Sequence, residues 1–108
     1  MLTVWFSTLD WANKNPDTIR RFLMAWYETV AFAQTHKAET IKYSQQVTLL
    51  SDDLASKVYD VEMPTFSTDG RFDPKAVAAV KQAMLDLGTV KEKPEDKAVF
   101  TEEFLPKR

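Results

Sequence analysis

Apolar positions along this chain recur mostly at the three- and four-residue steps of a helix. The clearest run starts at Asn15, a good N-cap, with Pro16 suited to the first helical position and Asp17 complementing the positive end of the helix dipole. Ile19, Phe22, Leu23, Trp26, Val30 and Ala33 then mark one apolar face. Met24, Ala25, Ala31 and Phe32 widen it so far that the helix calls for cover on two sides, and it should end near His36. A weaker pattern predicts a helix from about Ala38 to Leu49, with Ile41 and Gln45 on one side and Tyr43 and Val47 on another. Ser51 caps a shorter one beginning Asp52-Asp53, with Leu54, Ala55, Val58 and Tyr59 as its buried side.

Val61 to Phe66 reads as extended chain, because Pro64 disfavours the helical region for Met63. Asp69-Gly70 marks a turn. Asp73-Pro74 opens the next helix, which stops at Gly88. Its expected buried face is Val77, Val80, Met84 and Leu87, with Ala76 and Ala83 allowing a close neighbour and Lys81, Gln82 and Asp86 turned to water. Pro94-Glu95-Asp96 begins a last short helix carrying Ala98, Val99 and Phe100, and the tail brings Phe104 and Leu105, two large apolar residues that must dock. At the other end, Leu2 to Phe6 are β-branched and aromatic enough for one short strand. A lone strand leaves its backbone groups unpaired, so this one asks for a partner. The expectation is a single, mainly α domain over residues 1–108, with about five helices and one short N-terminal β-strand.

Length and composition narrow this picture rather than redraw it. A chain of 108 residues supports one domain, and its 44% hydrophobic and 12% aromatic content can build a core. Two glycines in the whole chain favour helices over a turn-rich β fold. Fourteen Lys and Arg stand against 16 Asp and Glu, and no basic run exceeds Arg20-Arg21, which argues against nucleic acid. No stretch reaches the roughly 18–20 apolar residues of a membrane span. The start, Met-Leu-Thr-Val-Trp-Phe, lacks the basic opening and apolar length of a signal peptide.

Candidate chemistry is sparse. With no cysteine there is no disulfide, zinc-thiolate site or thiol nucleophile. His36 and Glu39 could suggest a metal pair, but two ligands do not make a site, and a histidine at a helix end has a capping role to fill. Asp52 and Asp53 belong to a helix first turn, and Asp69 and Asp73 to a turn and an N-cap. A calcium loop through Ser67, Asp69, Arg71 and Asp73 would put a cation where a ligand is needed. Ser7, Ser44, Ser51, Ser56 and Ser67 have no nucleophile-elbow setting, and two isolated glycines cannot form a phosphate loop. No catalytic, cofactor-binding or metal-ligating residue is assigned, and the chain reads as a non-enzyme. Trp26 and Tyr27 fit buried helix faces. Trp5, Phe6 and Trp11, with Leu2 and Val4, lie beside the unpaired strand and form the candidate interface, for which core packing is the competing reading.

The run Asn15-Pro16-Asp17-Thr18-Ile19-Arg20-Arg21-Phe22-Leu23-Met24-Ala25-Trp26 resembles a helix of the SsuA/THI5-like (NMT1-like) ABC-transporter substrate-binding proteins, the one that follows the return crossing between lobes. Phe66-Ser67-Thr68-Asp69-Gly70-Arg71-Phe72-Asp73-Pro74, the helix to Leu87-Gly88 and the ending Phe100-Thr101-Glu102-Glu103-Phe104-Leu105-Pro106 resemble the C-terminal stretch of the same family, in the same order. The resemblance implies the C-terminal helical part of a two-lobed, type-II periplasmic binding fold. It implies a periplasmic or extracytoplasmic protein that captures sulfonate, taurine, nitrate or pyrimidine-type solutes and passes them to an ABC permease. The family's ligand lies between lobes that this stretch does not include, so no ligand-binding residue is carried over and the segment is expected not to bind ligand alone. Its long helix would face a sheet supplied by the remainder of the solute-binding protein; an isolated copy is expected to form a homodimer. The alternative is a free-standing helical dimerisation or interaction module.

Overall fold

The structure is a computed structural model that describes residues 4–107. Among these, six α-helices and one 3₁₀ turn follow each other in the order α1 (Leu9–Lys14), α2 (Pro16–Thr35), α3 (Lys37–Thr48), α4 (Asp52–Glu62), the 3₁₀ turn Met63–Thr65, α5 (Pro74–Asp86) and α6 (Asp96–Val99). The chain is mainly helical, as its periodicity requires. Among the described residues the N-terminal strand is not formed: Val4, Trp5 and Phe6 have no regular secondary structure, and Leu2 lies outside the described residues. With no second strand among the described residues to pair with, the segment gains more by seating the Trp5 ring edge-on against Phe22 and Trp26, both at 4.9 Å.

Helix α1 is absent from the sequence reading. Thr8 caps it, its Oγ1 accepting from the Trp11 amide at 3.3 Å, and Asp10 binds Lys14 one turn on at 2.9 Å. Asn15 precedes α2 as expected but makes no side-chain cap bond there; its Nδ2 donates instead to the Trp11 carbonyl at 2.9 Å, closing the end of α1. Ser51 likewise precedes α4 without a side-chain cap. Asp73 does cap α5, accepting from the Lys75 amide at 2.8 Å. His36 ends α2 and begins α3.

The 61–66 stretch also departs from expectation. Helix α4 continues through Glu62, and Pro64 sits inside the 3₁₀ turn, where a missing amide hydrogen costs little. Thr65 Oγ1 donates to the Glu62 carbonyl at 2.7 Å, and Gln34 of α2 donates to the Met63 and Phe66 carbonyls at 3.5 and 3.3 Å. These bonds satisfy carbonyls that an extended strand would have left to a neighbour.

Helices α2, α3, α4 and the 3₁₀ turn form a stack, with α1 laid against α2. Ala55 is its most buried residue, at 3% exposure, and its short side chain lets α4 approach closely. Tyr59 Oη donates to the Ala33 carbonyl at 2.6 Å, and Lys37 binds Asp60 at 2.6 Å. Leu54, expected on the buried side, is exposed. The second part, residues 67–107, folds back on itself: Phe72 and Phe100 rings lie 4.4 Å apart and Lys81 binds Asp96 at 2.7 Å. Helix α5 buries Val77 and half-buries Met84 as expected, but it also covers Lys81, expected to face water, while Val80 and Leu87 face solvent.

Candidate functional site

A catalytic, metal or ligand site would require polar side chains to converge in an enclosed space. The larger of two open clefts, about 290 Å³, is bounded by Pro74, Val77, Ala78, Lys81, Lys93 and Asp96; the other, about 190 Å³, by Gln34, Tyr59, Asp60, Met63 and Pro64. Solute pockets run from about 300 to 1,000 Å³ and enclose most of their ligand. Most of the polar lining is engaged: Lys81 with Asp96, Asp60 with Lys37, and Tyr59 and Gln34 with backbone carbonyls.

His36 is occupied locally. Its ring stacks on Phe32 at 4.1 Å and nearly parallel, and Nδ1 lies 2.8 Å from Thr35 Oγ1 and 3.0 Å from the Phe32 carbonyl. Asp53 binds Lys57 and Asp52 accepts from Gln45, so that pair fastens the start of α4. Asp69 accepts from the Arg71 amide within its turn, and Asp73 caps α5. Among the described residues, no group of three or more His, Asp or Glu is placed to hold a metal ion.

The apolar surface is the feature of greatest extent. Of the candidate interface residues, Val4, Trp5, Phe6 and Trp11 are all exposed, Phe6 at 94%; Leu2 lies outside the described residues. Trp5 brings Phe22 and Trp26 of α2 into the same cluster, and Leu9 and Trp11 are exposed on α1. Further apolar side chains are uncovered elsewhere, including Val47 and Leu49 at the end of α3, Val61 on α4 and Leu87 after α5. The protein exposes 8655 Å², whereas a compact monomer of 12.4 kDa exposes about 6,100 Å². Its radius of gyration is 16.9 Å against about 13 Å for a compact domain of this length. The excess, about 2,500 Å², is of the order that one partner contributes to an obligate interface.

A second cluster escaped the sequence reading. Tyr27 of α2 is half-buried against Gly70 and Leu105, and burial, then the nearby Asp69 carboxylate, raises its phenol above the usual 10.0. Glu102 accepts from the Phe72 amide at 2.9 Å and from Arg71 at 3.1 Å. The Arg20 guanidinium lies 5.7 Å from the centre of the Phe104 ring. The Asp-Gly pair signalled a turn; nothing local in the sequence signalled what the turn would touch. No helix among the described residues is long and apolar enough to cross a membrane. Comparison of the chain with known proteins finds no matching family model, no matching curated protein and no matching solved structure.

Proposed function

We propose that this chain serves as the C-terminal helical part of a solute-binding protein of an ABC importer, acting outside the cytoplasm on a sulfonate, nitrate, taurine or pyrimidine-type ligand and without catalysis of its own. The observation that carries this reading is the surface excess of about 2,500 Å², with large apolar side chains exposed on α1 and α2 as well as near the ends of α3 and α5. A helical layer that belongs against a larger body leaves such a surface when considered alone. The resemblance of the 15–26, 66–74 and 100–106 segments, in that order, supplies the identity of the body. In that setting the partners are the remainder of the solute-binding protein and the permease it feeds, and the helices would support one lobe of a trap that closes on solute.

The coding sequence immediately upstream provides the test. An in-frame continuation with Val- and Ile-rich strand segments and an export signal is the expected result; an upstream region with neither overturns the reading. Taurine, alkanesulfonates, nitrate and pyrimidines at millimolar concentration are expected to leave the thermal midpoint of this chain unmoved. A site filled at 100 times its Kd would stabilise by about 2.7 kcal/mol and raise the midpoint by roughly 10–20 °C. Such a rise would place a working pocket within these residues and overturn the claim that the segment needs the rest of the protein.

The second reading is a free-standing interaction module that covers the same surface with a second copy. The exposed Trp5, Phe6 and Leu9 at one end favour it, since large apolar side chains clustered at an edge are typical of association surfaces. It requires a dimer by sedimentation equilibrium at tens of micromolar (on the order of 10⁻⁵ M, where an obligate pair persists). A monomer under those conditions eliminates it.

A further inference from the structure

Residues 67–107 are attached to the rest of the molecule in an unusual way. Among the described residues, α5 packs closely against no other helix. It is steadied by its own return segment, through Lys81 with Asp96 and Phe72 with Phe100. The loop at Gly70 and the tail, by contrast, touch α2 directly, through Tyr27 and Arg20. Phe104, 8% exposed, is the one large aromatic side chain that is buried among the described residues, and Arg20 of α2 lies against its ring. Leu105 and Tyr27 close on Gly70, whose φ of +75° and missing side chain allow that approach.

The tail is shaped for this task before it docks. The Leu105 amide donates to the Glu102 carbonyl at 3.1 Å, forming a turn that sets Phe104 and Leu105 side by side on the chain, and the Glu103 amide donates to Thr101 Oγ1 at 3.2 Å. The loop is shaped as well: Ser67 Oγ accepts from the Asp69 and Gly70 amides, and Asp69 Oδ1 accepts from the Arg71 amide. Glu102 joins the two, one oxygen holding the half-buried Phe72 amide and the other Arg71.

We propose that residues 101–106 are a releasable latch that fastens the α5 unit to the α2–α4 stack, so that the 67–100 segment can detach while the stack stays folded. Its anchor is Phe104 and its catch is the Glu102 carboxylate. The inference rests on the packing alone and stands independently of the transport reading. Both bonds of the catch can be exchanged for water, and the anchor is a single ring, so the attachment is local rather than spread through a common core. The tail thus sets whether the α5 face is presented in one fixed orientation or freed.

Native-state hydrogen exchange by mass spectrometry tests this on Glu102→Ala and Phe104→Ala chains. Exchange of the 77–86 amides is expected to speed by about tenfold or more, while the 41–61 amides of α3 and α4 change by less than about twofold. Glu102→Gln, which keeps the shape and can still accept from Phe72 but loses the charge facing Arg71, should fall between wild type and Glu102→Ala. Parallel acceleration of both sets, including outright unfolding of a variant, would show one cooperative unit and overturn the proposal. No acceleration in either set would show the tail to be a passenger and overturn it equally.

Discussion

In the α2–α4 stack, helices touch one another directly, with Ala55 the most buried residue and Tyr59, Gln34 and Lys37 reaching across to other elements. In the 67–107 unit, the joining is done by a turn, a tail and two short polar bridges, with Gly70 as the point of closest approach. The first arrangement distributes its energy along helix faces. The second concentrates it at a few positions, where one atom too many or too few is felt strongly. Neither part encloses a core of the usual size, since the buried apolar residues among those described are Ala12, Val30, Ala55, Val77 and Phe104. The difference therefore concerns how two incomplete units are held, each leaving an apolar side uncovered.

The largest expected effect tests the concentrated attachment. Gly70→Ala forces a side chain into a left-handed backbone and against the Tyr27 ring and Leu105, so a loss of about 2–5 kcal/mol in urea unfolding is expected. Gly88→Ala has nearly the same φ, +68°, but open space around it, and should cost only about 1–2 kcal/mol. Equal losses at the two glycines would remove the close approach as the distinguishing feature. Ala55→Leu comes next, overfilling the most buried position of the stack at a cost of about 1–3 kcal/mol, measured by the same denaturation. Tyr59→Phe, which leaves the Ala33 carbonyl with the longer bond from Thr40 Oγ1 at 3.3 Å, should cost about 1 kcal/mol. A larger loss at Tyr59 than at Gly70 would reverse the comparison.

The smallest effect appears only in alkali. Because the folded state holds the Tyr27 phenol above its usual 10.0, the folded chain binds more protons than the unfolded chain once pH passes that value. The contribution is complete below about pH 10 and is lost as pH rises from there through the folded value. Tyr27→Phe is expected to flatten that part of the decline without changing its acidic side, read from urea midpoints across the alkaline range. An unchanged alkaline slope would disconnect Tyr27 from it.

Much of the helical layout was legible because helix ends are local events. Asp73-Pro74 and the stop at Gly88 announce α5, and the apolar steps from Ile19 to Val30 announce α2, through chemistry contained within a turn or two. Helix α1 was hidden because six residues offer too little periodicity to compete with the β-branched and aromatic signal just before it. Residues 61–66 misled because the residue before a proline usually avoids the helical region, and the bonds from Gln34 that hold the turn come from about 30 positions away. The end of α3 rests on Leu49 in a left-handed conformation at φ 57°, where sequence gives no glycine to mark it. Of the residues named as a candidate interface, Val4, Trp5, Phe6 and Trp11 are exposed, and residues 4–6 carry no strand.

Sequence by itself determined that the chain is mainly helical and where most helices begin and end, because propensity, capping and periodicity act over a few residues. Tertiary structure alone decided which way α5 turns. Lys81 is covered and Val80 exposed because Asp96 lies on that side, and a heptad pattern cannot tell one apolar face from its neighbour without knowing what approaches. It also decided that Phe104, Glu102, Gly70 and Tyr27 meet, since contacts between residues far apart along the chain depend on how the intervening helices are placed.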